Sequence, residues 1–172
     1  MESSSKNNPL PSHQLSPSSW NRFEECPRKF WLSRQGLPKK SGMAASLGSA
    51  IHNSLEDICN LDLSSIGNFE NGWLSESMKS ILKKNWEIER EHFLSAPRHP
   101  RWKEDQFPKA RAGFIGAIQI LFSKTRVSSK DLSGITPEEW EEIQSIVIAN
   151  EATLSSECGR LIGRLDLLLV DL

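Results

Sequence analysis

Asp166 is the one residue of this chain that places an acid inside a dense apolar run, Leu165-Asp166-Leu167-Leu168-Leu169-Val170, headed by Gly163. The run is short and aliphatic, which predicts a buried strand rather than a core helix. A carboxylate buried in such a strand is costly unless it is paired or holds a metal. Two readings follow: an edge strand whose Asp166 faces water, or a strand that delivers Asp166 as an oxygen ligand to a hard cation. His52 is the second candidate, with Gly48 one turn before it and Glu56 one turn after it. Neutral imidazole is a common metal ligand, though a helical histidine facing solvent is the plainer reading. The third candidate is a basic cluster, Arg28, Lys29 and Arg34, beside Phe30 and Trp31. Such a cluster could grip phosphates and stack on bases of a DNA strand. Its alternative is a solvated basic face with the aromatics turned into the core, and for Phe30 and Trp31 that is the expectation.

Cys26, Cys59 and Cys158 are odd in number, far apart and without a CxxC pair. This argues against a secreted disulfide framework and against a self-contained zinc site. At 172 residues, 37% hydrophobic, 25% charged and a net charge of -1, the chain is globular and about one domain long. It is not a generally polybasic nucleic-acid binder, but a local basic patch is allowed. Arg22, Arg28, Lys29, Arg34, Lys39 and Lys40 crowd the N-terminal part against only Glu24 and Glu25. Residues 137–157 carry six glutamates and no lysine or arginine. No apolar run is long enough to span a membrane and the N-terminus has no secretory pattern, so a reducing, cytoplasmic setting is expected. Six tryptophans and no tyrosine carry no functional reading.

The elements that must position these residues are helices first and sheet last. Residues 1–14 have little to bury and read as a disordered tail. Ser16 can cap a helix with Pro17 at its first position, and Pro27 ends it. A short helical turn over 27–34 should put Phe30 and Trp31 inward. Met43, Leu47, Ile51, Leu55 and Ile58 recur at helical spacing, predicting an amphipathic helix over 43–61. A long helix over 73–94 turns Leu74, Met78, Ile81, Leu82 and Trp86 inward and leaves Lys79, Lys83, Lys84, Glu87, Glu89 and Arg90 solvated. Another over 107–124 buries Phe114, Ile118, Leu121 and Phe122. Thr136, Pro137 and Glu139 form a helix start with a capping box. Residues 146–154 and 160–170 predict an antiparallel hairpin turning near Cys158-Gly159, with Glu151 on its first strand.

Three features in this order carry a resemblance: Leu15-Ser-Pro-Ser-Ser-Trp-Asn-Arg-Phe-Glu-Glu-Cys-Pro-Arg-Lys-Phe-Trp31, Leu47-Gly-Ser-Ala-Ile-His-Asn-Ser-Leu-Glu56, and Gly163-Arg-Leu-Asp166 with Glu151 before it. The set resembles the PD-(D/E)XK nuclease superfamily, in its RecB-like and AddB-like branch, from Leu15 to the C-terminus. The resemblance implies an α/β (α+β) fold in which a helical N-terminal layer, 15–144, precedes the first strands of a restriction-endonuclease-like core, 145–172. It implies metal-dependent hydrolysis of DNA in repair or recombination, with Mg2+ or Mn2+ held by His52 and Asp166. Asp166 and Glu151 are then the catalytic acids, and Arg28, Lys29 and Arg34 contact DNA. Cys26 matches a cysteine that in some members ligates a 4Fe-4S cluster. A cluster needs four thiolates, and Cys59 and Cys158 fall at the wrong places, so Cys26 is expected to be a buried thiol here. The family's second strand with (D/E)-x-K does not follow Asp166. The expectation is therefore a truncated N-terminal part of a nuclease, inactive as this chain. The alternative is a non-catalytic module that binds DNA or a helicase partner, and an apolar end strand lacking neighbours would be prone to aggregate.

Overall fold

The computed structural model describes residues 14–37, 42–125 and 132–169, with 148–151, 166 and 167 described in backbone alone. The expected disordered tail therefore lies outside the described residues, Gln14 excepted. Two compact units divide the chain: Met1–Leu37 with Ala152–Leu165, and Pro38–Glu151 with Asp166–Leu172.

In the first unit, α1 (Pro17–Glu25) starts at a reciprocal cap. The Ser19 N–H donates to Ser16 Oγ at 3.2 Å, and the Ser16 N–H donates to Ser19 Oγ at 2.7 Å. Pro17 fills the first helical position, where a missing N–H costs nothing. Pro27 stops α1 and opens α2 (Pro27–Ser33). Phe23 meets Phe30 edge-on with ring centroids 5.5 Å apart, and Trp20 lies beside Phe23 at 6.1 Å. No residue of either helix is fully buried. Trp31 is 59% exposed, which corrects its expected place in the core. The reason is helical geometry: successive residues point about 100° apart, so once Phe30 takes the side facing Phe23, Trp31 is carried round toward water.

The second unit is built on α3 (Met43–Cys59), which packs against both α4 (Trp73–Ser95) and α5 (Phe107–Ser123). Sandwiched in this way, α3 buries Ser46, Ala50, Ser54, Ile58 and Cys59. Of the expected stripe, Ile58 is fully buried, whereas Met43, Leu47, Ile51 and Leu55 are only partly buried against the core. Small residues one turn apart let the helix backbones approach. Ile51 uses the same economy toward α5, filling the space where a Cβ on Gly113 would stand, 2.7 Å from Ile51 Cδ1. The polar atoms of this seam are satisfied. Ser54 Oγ donates to the Ala50 carbonyl at 2.6 Å, and the buried Asn85 amide of α4 donates to Ser54 Oγ at 3.3 Å and to Asp57 at 3.1 Å.

α4 buries Leu74, Met78, Leu82 and Trp86 as expected, together with Trp73 and Phe93. Glu89 departs from its expected solvation: its side chain is 12% exposed, with His92 Nδ1 3.8 Å away. An aromatic cluster closes this end, with Trp86–Trp102 centroids at 4.8 Å and Phe93–Trp102 at 5.1 Å. α5 buries Phe114, Ile118 and Leu121, and Phe122 packs partly. Thr136 and Glu139 form the expected capping box of α6 (Pro137–Ser145), whose Trp140 and Ile143 are fully buried. The Gln144 amide ties α6 to the end of α3 by donating to the Cys59 and Leu61 carbonyls, both at 2.9 Å.

The strands β1 (Val147–Ser155) and β2 (Ile162–Leu169) form one antiparallel two-stranded sheet. The fold is α+β, mostly helical, as expected. At the tip, Leu15 pairs in parallel alongside Leu161, its N–H donating to the Arg160 carbonyl at 2.8 Å and its carbonyl accepting from the Ile162 N–H at 2.9 Å. The burial expected for the strand corrects to partial cover. Leu165 and Leu169 are half-buried, and Leu168 is exposed.

Candidate active site

The hairpin turn fixes which residues oppose one another. Gly159 takes a φ of 66°, a left-handed conformation that costs glycine nothing. Its N–H donates to the Ser156 carbonyl at 2.8 Å, and the Ser156 N–H donates to the Leu161 carbonyl at 2.9 Å. β1 runs nine residues back from that closure and β2 eight residues on from it, and an unbroken ladder would set Ser155 opposite Ile162. On that unbroken count, the backbone positions of Glu151 and Asp166 would fall opposite each other. Like charges facing each other across a ladder repel, whereas oxygen donors from adjacent strands suit a hard divalent cation. The donor chemistry at these two positions therefore fits such an ion.

His52 lies mid-helix on α3 and is exposed, with Gly48 and Glu56 one turn away on the same side. The side chains of Glu151 and Asp166, and with them the expected meeting of the His52 imidazole and the Asp166 carboxylate, lie outside the described residues. Among the described residues, no group of three or more His, Cys, Asp or Glu forms a cluster that could hold a metal.

Arg28, Lys29 and Arg34 are exposed, as expected. Lys29 Nζ pairs with Glu25 at 3.0 Å. The Arg34 guanidinium stacks over the Phe30 ring, 4.7 Å from its centroid, and also donates to the Gln14 carbonyl. Trp31, expected in the core, and Trp20 are both exposed aromatics of the same two helices. A cleft of about 540 Å³ in the same unit is lined by Trp20, Asn21, Leu154, Ser155, Leu161 and Gly163. The available signal was the shortness of α1 and α2, since a two-turn helix cannot bury adjacent aromatics on one side.

The three cysteines are all free. Cys26 joins α1 to α2 and is half-buried, a correction to the buried thiol expected there. Its extended backbone between two short exposed helices leaves it without full cover. Burial pushes the Cys59 thiol up to about 11. The Ser156 hydroxyl, helped by backbone N–H groups, holds the exposed Cys158 thiol below its ordinary value.

Helices and one small antiparallel sheet define an α+β protein. A family model described as the PD-(D/E)XK nuclease superfamily matches residues 14–171. The chain belongs to that superfamily. No curated protein and no solved structure matches it. Nucleases of this superfamily generally use divalent metal ions, and their substrate is DNA. No helix among the described residues is long and apolar enough to cross a membrane.

Proposed function

We propose that this protein is a DNA-processing member of the RecB-like and AddB-like branch, working in repair or recombination in the cytoplasm beside a helicase. The observation that supports the reading is the superfamily match over residues 14–171, together with the Ser156–Leu161 hairpin closure, from which an unbroken ladder would bring Glu151 and Asp166 opposite each other. Asp166 and Glu151 supply carboxylate oxygens to one Mg2+ or Mn2+, and His52 supplies the imidazole. The ion, when bound, polarises the scissile phosphate and lowers the pKa of water. The rest falls to the chain itself. Arg28, Lys29 and Arg34 neutralise backbone phosphates, and Trp31 offers a stacking face for a base. Cys26 acts as a structural thiol between α1 and α2.

The test is incubation of the purified chain with single- and double-stranded oligonucleotides in Mg2+ or Mn2+, with Asp166→Ala as the comparison. Cleavage that disappears in the variant supports hydrolysis at this site. DNA binding without cleavage, with Mn2+ still bound through Asp166, assigns the chain to a non-catalytic DNA-binding role. Cleavage that survives Asp166→Ala rules the proposed site out.

A further inference from the structure

α3 packs against both α4 and α5, while α4 and α5 meet each other only sparsely. The two helices are thus splayed around α3, and a cavity of about 290 Å³ opens between them. Met78 and Leu82 of α4, Phe107, Phe114 and Ile115 of α5, and Leu132 from beyond α5 form its apolar lining, and Lys83 and Arg111 also line it, one from each helix. Both cations are exposed, and neither makes an ion pair among the described residues. Lys79, one turn before Lys83, is already neutralised by Glu76.

We propose that this groove docks an acidic amphipathic helix of a partner protein. A trough between two splayed helices accepts a third helix by the ridge-and-groove packing that joins helices in general. Methionine in the floor adapts to differing anchor side chains. The two cations decide the charge: a segment lying along the trough meets Lys83 on one flank and Arg111 on the other, so carboxylates on both flanks are favoured. A nucleic-acid strand would set phosphates against those cations but leave the aliphatic floor uncovered. A second copy of this chain is a poor occupant. Its own acidic helix, α6, already buries Trp140 and Ile143 in the core and has no apolar stripe to offer.

The experiment uses the full chain and a fluorescein-labelled peptide about four turns long, with leucines at helical spacing and glutamates elsewhere. Fluorescence anisotropy should report saturable binding that weakens with salt. It should fall about tenfold or more in a Lys83→Glu, Arg111→Glu double variant, corresponding to about 1.4 kcal/mol. Both substitutions are at exposed positions, and an unchanged circular dichroism spectrum confirms the fold. A matched peptide with lysines in place of the glutamates should bind more weakly to the parent chain and regain affinity for the charge-reversed variant. Equal binding of both peptides, or no binding of either, overturns the proposal. So does displacement of the acidic peptide by a short oligonucleotide, which would assign the cations to nucleic acid, or by decanoate, which would assign the cavity to a small amphiphile.

Discussion

Ser156 and Leu161 close the hairpin through two hydrogen bonds, the Ser156 N–H to the Leu161 carbonyl at 2.9 Å and the Leu161 N–H to the Ser156 hydroxyl at 3.0 Å. This closure sets the register on which the candidate metal site depends. A slip of one residue would move every side chain of a strand to the other face and separate positions 151 and 166. Mn2+ binding, followed by electron paramagnetic resonance, should therefore weaken about tenfold or more in Asp166→Asn and in Glu151→Gln. His52→Ala should weaken it as well. If Asp166→Asn weakens binding and Glu151→Gln leaves it unchanged, the two acids do not share an ion.

The exposed aromatic and basic side chains of α1 and α2 lead to a second prediction, about DNA. Replacing Trp31 with Ala should cost roughly 1–3 kcal/mol in binding to single-stranded oligothymidylate if one base stacks on it. Trp31→Phe should recover part of the loss. Arg28→Ala should act differently, flattening the plot of log affinity against log salt by about 0.7 for one phosphate contact on a single strand. Anisotropy titrations over a range of salt separate the two effects. A Trp31 variant that binds like the parent would return this residue to an unremarkable surface position.

The parts of this fold that were legible in the sequence are those governed by local rules. The caps at Ser16 and Thr136 depend on residues three apart, so short motifs announce them. α4 and α5 are long enough for periodicity to mark their buried faces. Periodicity marks α3 and the burial of Ile58 but misses its deepest small residues, because a helix held between two neighbours uses small residues where they approach. Ser46, Ala50 and Ser54 are thus deeper than the leucines on either side of them. It fails for Glu89 too, where a charge on the nominally solvated side of α4 lies largely covered. In the candidate site, residue types and motif order singled out His52, Glu151 and Asp166. The register from which their opposition is proposed needed the Ser156–Leu161 pairing, which a turn signal at Cys158-Gly159 does not specify.

The three thiols should differ sharply in reactivity. Alkylation needs the thiolate. Cys158 is exposed and its thiol is held below the ordinary value by the Ser156 hydroxyl, while burial raises Cys59 to about 11. With iodoacetamide at mildly alkaline pH, peptide mass spectrometry should find Cys158 modified first and Cys59 last. Ser156→Ala should slow the Cys158 reaction by removing the hydroxyl that stabilises its thiolate. Denaturant should make the rates at Cys59 and Cys158 similar, because it removes both causes.

Glu89 makes stability depend on pH in a direction opposite to that of a salt-bridged carboxylate. Burial raises its pKa, and His92, through its charge and a hydrogen bond, acts against that rise. A carboxyl whose pKa is higher in the folded state binds its proton more tightly there than in the unfolded chain, so acid favours folding at this site. The penalty is absent below the ordinary carboxylate value. It grows as pH rises from that value through the raised one and is fully present above it. Glu89→Gln removes the ionisation but keeps the shape. Its stability relative to the parent should therefore be higher at about pH 7 than at about pH 4, measured by urea unfolding. His92→Ala removes the opposing interaction, so in that background the advantage of Glu89→Gln at neutral pH should be larger. An advantage of equal size at both pH values would show that Glu89 is not ionised against a burial cost, and that its cover by α4 and its neighbours is looser than the structure places it.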